Sequence, residues 1–225
     1  MEEHALVEKK FKISVPKYTL GEELCSAITH GVGVGLSITA LVLMVVKAAI
    51  SGSALAVVSA SIYGAMLIIL YTMSTLYHSF SPRIGAKRVF RIFDHCSIFL
   101  LIAGTYTPFS LLVLKGAIGW TIFGIVWGAA VLGIVLNSIN LEKYKVFSMI
   151  CYIAMGWVII FTFKTLLDSL AIGGIVFLLV GGVCYTLGAV VYGVGKKIKY
   201  MHSVWHLFVL AGSICHFFSV LLYVL

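Results

Sequence analysis

Charge is what this chain has least of. Only 11% of its 225 residues are Asp, Glu, Lys or Arg, against 61% hydrophobic residues and a mean hydropathy of +1.11. A soluble domain covers its surface with roughly a quarter of its residues charged, so this composition excludes an ordinary water-soluble globule and places the chain in a bilayer. The five cysteines (Cys25, Cys96, Cys151, Cys184 and Cys215) are odd in number, scattered, and never in a C-x-x-C pair. That excludes a disulfide framework and a thiolate zinc site, and leaves them as small apolar side chains. The first twenty-four residues lack both an apolar core and a small-residue cleavage site, so residues 1–24 read as a retained, cytoplasmic N-terminal segment and not as a signal peptide. The net charge of +8 is not accompanied by a basic stripe with interleaved aromatics, which argues against a nucleic-acid partner.

What is present is a series of long apolar runs. A transmembrane helix needs about 20 mainly apolar residues. Seven stretches qualify: Ser26–Ala49, Ala54–Tyr77, His95–Leu114, Gly119–Ser138, Phe147–Phe163, Ala171–Gly193 and Met201–Leu225. The connections are short, so consecutive helices are antiparallel neighbours, and residues 25–225 form one seven-helix transmembrane domain. The fold class is therefore an all-α, seven-transmembrane bundle. Sorted by connection, 13 of the 16 Lys and Arg residues fall on one side, Lys9, Lys10, Lys12, Lys196 and Lys197 among them. The other side has Lys47, Lys115 and Lys164. The positive-inside rule puts the N-terminus in the cytoplasm and the C-terminus outside.

Local signals refine the helices. Thr19-Leu-Gly-Glu22 is a capping-box pattern, which starts helix 1 in the headgroup region ahead of its first apolar residue. Gly31/Gly35 and Gly124/Gly128 have the spacing of close helix contacts, or reflect only the abundance of glycine in membrane helices. Pro108 is expected to kink helix 3 and free a carbonyl within reach of Thr105 or Thr107.

Ionisable groups inside spans are costly and mark candidate sites. Ser74 and His78 fall on the last turn of helix 2, Asp94 and His95 at the start of helix 3, and His202 and His206 on the first turns of helix 7, all at cytoplasmic ends. His202 and His206, four residues apart, project from one face at a spacing that lets two imidazoles share a metal. With His78 they make three neutral imidazoles, which with a water complete a tetrahedral site of the catalytic type. Asp94 is then the carboxylate placed to hold that water or take its proton. Ser74 either faces a developing oxyanion or bonds a carbonyl of its own helix. Glu23, Ser26 and His30 share one stripe of helix 1, as an outer layer of the site or as anchors of the helix end. His216, about 21 Å deeper than His202, is expected to be a buried, hydrogen-bonded histidine, and His4 carries no signal.

These residues resemble a family. Glu23-x2-Ser26-x3-His30, Ser74-x3-His78, Asp94 and His202-x3-His206-x9-His216 are similar to the motifs of the progestin and adiponectin receptor family. The short loops and the segments ITHGVG, STLYHSF and FDHCSIFLLIAGTYTPF resemble its hemolysin III branch. The resemblance covers all seven helices. It implies a zinc ion held by His78, His202 and His206, a water hydrogen-bonded to Asp94, and Ser74 nearby. Ser26 stands where the family usually has Asn, which puts a carried-over role for that position in doubt. A similar pattern in alkaline ceramidases implies a zinc-dependent hydrolase of a lipid amide or ester. The expectation is thus a multi-pass protein of a bacterial inner membrane, with membrane lipids as partners and a lipid or fatty-acyl substrate, serving membrane-lipid homeostasis. The competing expectations are a receptor or sensor with a structural zinc, and a membrane-lytic protein.

Overall fold

The computed structural model describes residues 14–195 and 198–225 of the chain. Lys9, Lys10, Lys12, Lys196, Lys197 and His4, which entered the sequence reading, lie outside the described residues. Among the described residues the regular structure is entirely helical: α1 (Leu20–Ile50), α2 (Ala54–Ser79), α3 (Gly85–Pro108), α4 (Gly116–Gly156), α5 (Phe163–Ser169), α6 (Ile172–Val194) and α7 (Met201–Ser219). A π-helical turn, Phe109–Leu114, extends α3, and another, Val220–Val224, extends α7; a 3-10 turn, Val158–Thr162, joins α4 to α5. Six helical runs are long and apolar enough to cross a membrane: Leu20–Ile50, Ala54–Ser79, Gly85–Leu114, Gly116–Ser169, Ile172–Val194 and Met201–Val224.

The fourth of these runs holds 54 residues, which as one straight helix would be about 80 Å long against a hydrocarbon core of about 30 Å. It is not straight. Asn140, at φ −160° and ψ 91°, breaks α4 into two arms. Hydrogen bonds to α3 show the consequence. Trp127 of the first arm bonds Thr107, and further along Cys96 approaches Ile134 and Ser138. Arg91 meets Glu142 just past the break. Tyr152 of the second arm then donates to the His95 carbonyl at 2.8 Å, and Tyr106 to that of Gly156 at 2.9 Å. The partners on α3 run down from residue 107 to 91 and back up to 106, so the chain reverses direction at Asn140. The reversal falls in the polar link between the two spans read from sequence, Gly119–Ser138 and Phe147–Phe163.

Two expectations need correction at α3. The helix begins at Gly85, so Asp94 and His95 lie well inside it and not at its start. Lys87, Arg88 and Arg91 make this first part too polar to read as a span, yet all three are buried, at 0%, 4% and 6% exposure. At the other end, Thr105 and Thr107 donate to the Leu101 and Ala103 carbonyls and not to the carbonyl of Gly104 that Pro108 leaves without its donor. The backbone responds by widening into the π-helical turn directly after the proline.

The glycines that let helices approach are not the spaced pairs. Nothing lies within 4 Å of where a side chain at Gly35, Gly124 or Gly128 would begin. At Gly133, by contrast, a Cβ would stand 2.2 Å from the Phe99 ring, and at Gly33 2.5 Å from Tyr71. Both rings are fully buried, so the missing side chains are what admit α3 against α4 and α2 against α1. The bundle's outer surface is apolar instead of charged, with Ile28, Val32, Val46, Val131 and Val176 among the exposed residues, as a lipid-facing surface requires.

Candidate metal centre

Glu22 locks two helix starts together. Its backbone N–H donates to Thr19 Oγ1 at 3.3 Å while its carboxylate accepts from the Thr19 N–H at 2.8 Å, which is the capping box read from sequence. The other carboxylate oxygen accepts the N–H of Tyr200 at 2.9 Å. Tyr200 has a left-handed backbone, φ 63°, and immediately precedes α7. Beside this junction the Ser203 hydroxyl contacts that of Ser26 at 3.0 Å and donates to the Glu22 carbonyl at 3.2 Å. The first turns of α1 and α7 are thereby held in register, and α7 presents His202 and His206 to the last turn of α2, where His78 lies.

The three imidazoles converge. His202 Nε2 is 3.2 Å from His78 Nε2 and 3.1 Å from His206 Nε2. Two nitrogens bound at about 2.0–2.1 Å to one tetrahedral ion stand about 3.3 Å apart, so these two separations match a shared ion, and the ligand atoms of all three residues lie within 4.8 Å of one another. His78 and His206 are buried and His202 is partly so. The residues fit a divalent metal by donor chemistry as well. His78 Nδ1–H donates to Glu23 Oε2 at 2.7 Å, the tautomer that leaves the Nε2 lone pair free for a ligand bond. Glu23 Oε1 in turn accepts from Lys87 Nζ at 2.6 Å, and Lys87 also donates to the Phe80 carbonyl at 2.9 Å. A buried chain therefore runs from Lys87 through Glu23 to His78. It gives Glu23 a definite place in the centre's outer layer, one of the two readings its stripe left open.

The remaining candidates border a cavity of about 40 Å³ lined by Ser74, Asp94, His95, His30, His202 and His206 among others. That is room for a water or two. Asp94 stands across it and is not one of the three converging groups. Ser74 Oγ is buried without a hydrogen-bond partner among the described residues, so it makes no bond to a carbonyl of its own helix. His30 stacks on His206 with ring centroids 3.8 Å apart and meets Tyr71 edge-on at 4.9 Å. Ser26 touches α7 through the Ser203 hydroxyl. His216, far along α7, donates to the Leu178 carbonyl at 3.0 Å, a buried structural bond as expected.

Two contributors were not singled out from sequence. Lys87 counted only as a loop charge, and its partner is 64 residues away. Tyr18 stacks flat on His202, with centroids 4.9 Å apart and planes at 17°. It belongs to a strap ahead of α1 that is pinned where Ser14 Oγ donates to Glu142 at 2.8 Å and Arg91 bonds both the Ser14 carbonyl and Glu142. Glu142 sits in the connection between the two arms of α4, outside the apolar segments. Burial works against its ionisation, but hydrogen bonds from Arg91, Ser14 and Lys145 outweigh burial and hold its pKa down to about 2.

Residues 18–217 match the family model described as haemolysin-III related. The chain is 45% identical to Hemolysin-3 of Bacillus cereus over 205 residues, 91% of this chain and 92% of that protein. It is likewise 45% identical to the Hemolysin-3 homolog of Bacillus subtilis (strain 168) over 206 residues, 92% and 96% of the two chains. A more distant similarity, 28% over 167 residues, covers 72% of this chain and 69% of the human monocyte to macrophage differentiation factor.

Proposed function

The chain belongs to the haemolysin-III-related branch of the progestin and adiponectin receptor family, and from that premise we propose that it is a zinc-dependent hydrolase acting on a lipid or acyl substrate in a bacterial inner membrane. The observation that carries the proposal is the convergence of three imidazoles, with His202 Nε2 at tetrahedral spacing from both of the others, beside a water-sized cavity. The reversal of α4 at Asn140 supports seven crossings, because it divides the 54-residue fourth run into two antiparallel arms. The basic residues gathered at the site's end support a cytoplasmic N-terminus and an external C-terminus.

An ion held by His78, His202 and His206 would supply a Lewis acid and bring the pKa of a water toward 7. The chain's own residues do the rest. Asp94 borders the same cavity and accepts the proton of the attacking water. Ser74 Oγ, without a hydrogen-bond partner among the described residues, donates to the carbonyl oxygen as charge develops there. Hydroxyl adds to the acyl carbon, the bond from that carbon to nitrogen or oxygen breaks, and the leaving group departs with the proton. An apolar cavity of about 110 Å³ adjoins the site and shares Leu70, Ile98, Met149, Tyr152, Trp205 and Val209 with it, a setting suited to an acyl chain. Direct membrane lysis, the activity named for the Bacillus relatives, has no use for a buried three-histidine centre.

Elemental analysis of purified protein tests the metal: about one zinc per chain is expected, and none in His202→Ala. Lipid extracts of cells expressing Asp94→Ala in place of the parent test the reaction. Identical lipid profiles, with the variant folded and metal-loaded, would count against a hydrolase.

A further inference from the structure

The hydrolase reading leaves the polar end of the substrate unassigned, and a second opening onto the metal centre supplies it. A cavity of about 440 Å³ lies between the strap ahead of α1, the α4 reversal and the start of α7. Its charged walls are Lys17, Arg91, Lys145, Lys199, Glu22 and Glu142. It meets the small metal-site cavity at Tyr192 and His202, which line both. The three spaces therefore follow one another in order of polarity: a basic vestibule, the three-histidine centre, and the apolar cavity deeper in the bundle.

The balance of charge in the vestibule is four cations against two anions. Both carboxylates are already satisfied by the protein. Glu22 accepts from Thr19 and from the Tyr200 N–H. Glu142 accepts from Ser14, Arg91 and Lys145. Lys17 and Lys199, by contrast, form no ion pair or hydrogen bond among the described residues. The charge of Lys199 acts on the Glu22 carboxylate through space, yet the vestibule keeps two more cations than anions, and a concave wall of one sign concentrates ligands of the other.

We infer that the vestibule binds an anionic head group of the phosphate class, and that the substrate is an amphiphile lying with that head toward Lys17 and Lys199, its scissile acyl bond at the three histidines and its chain in the apolar cavity. This rests on the hydrolase reading for the position of the scissile bond, and on the charged walls for the head group. Each lysine near such a group contributes about a fivefold gain in affinity, so the pair contributes roughly 25-fold.

The test is calorimetric binding to the full-length, metal-loaded protein in a neutral detergent, with four probes: a lysophosphatidic acid, the monoacylglycerol of the same chain length, glycerol 3-phosphate and inorganic phosphate. The lysophosphatidic acid is expected to bind at least tenfold more tightly than the monoacylglycerol. Lys17→Gln/Lys199→Gln is expected to abolish that preference, whereas Lys164→Gln, at the other end of the bundle, leaves it unchanged. Lys17 and Lys199 are both exposed, so the double variant retains its fold. Equal affinity for the two lipids overturns the inference, as does a preference that survives the double substitution. Glycerol 3-phosphate or phosphate binding as tightly as the lysolipid also overturns it, because the ligand would then be a soluble phosphate with no chain in the apolar cavity. Binding needs no turnover, so head-group preference without any lipid change from Asp94→Ala would sink only the hydrolase reading, and lipid change without head-group preference only this one.

Discussion

Replacing Lys87 by Met puts the buried chain behind the metal centre to a quantitative test. Lys87 is fully buried, its ammonium 2.6 Å from Glu23 and 5.0 Å from the Tyr77 ring, and Glu23 is itself buried. Methionine keeps most of the volume of the lysine stem, so the change removes a charge and little packing. Glu23 would be left with His78 as its only side-chain partner apart from the lost cation. Breaking a buried ion pair from one side costs about 3–5 kcal/mol, because the remaining charge stays desolvated. Weakening the group that orients a metal-binding imidazole costs about 10–100-fold in metal affinity. The double variant Glu23→Gln/Lys87→Met carries no charge at either position and should recover all but about 1 kcal/mol of the stability. Its metal affinity should stay low, because an amide oxygen accepts more weakly than a carboxylate from His78. Thermal unfolding in detergent, followed by tryptophan fluorescence, measures the first quantity, and competition with a chelator of known affinity measures the second. A Lys87→Met protein within about 0.5 kcal/mol of its parent, with unchanged metal affinity, would refute the reasoning.

The packing and the strap give two further expectations. Gly133→Ala should cost about 1–3 kcal/mol, since its methyl would collide with the fully buried Phe99, whereas Gly124→Ala meets open space and should be neutral or gain up to about 1 kcal/mol from helix propensity; comparing the melting temperatures of the two variants decides it. Because the pKa of Glu142 is lowered from 4.5 to about 2 in the folded chain, the stability it contributes is complete above pH 4.5 and is lost as pH falls from there toward 2. Glu142→Gln should therefore lower the melting temperature at pH 6 and flatten its dependence on pH below 4.5, and a variant whose acid sensitivity equals the parent's would contradict that assignment.

Much of the candidate site was legible because its parts are local or are sorted by helix ends. The His202–His206 pair needs only the pitch of one helix, and the capping box at Thr19–Glu22 only its first turn. The pairing of Lys87 with Glu23 was not legible, because hydropathy assigns a lysine before an apolar run to a loop. Its burial depends on α1 and α2 arriving beside it. The spaced glycine pairs could not be decided from sequence for a related reason. A repeat of small residues says that one face of a helix is smooth, and not that another helix lies on it. Gly33 and Gly133 gain their importance from the rings of Tyr71 and Phe99, which belong to other helices.

By itself the sequence determined the medium, the helical class and the end of the bundle at which the polar residues gather, since apolar run length and the placement of Lys and Arg are summed along the chain without reference to any partner. Only the tertiary structure decided that three imidazoles meet within the reach of one ion, and that Lys87 and Tyr18 belong to their surroundings. Those outcomes depend on the rotation and depth of one helix against the next. Such quantities are fixed by interdigitating side chains and buried hydrogen bonds between residues far apart in the chain, which no single segment encodes.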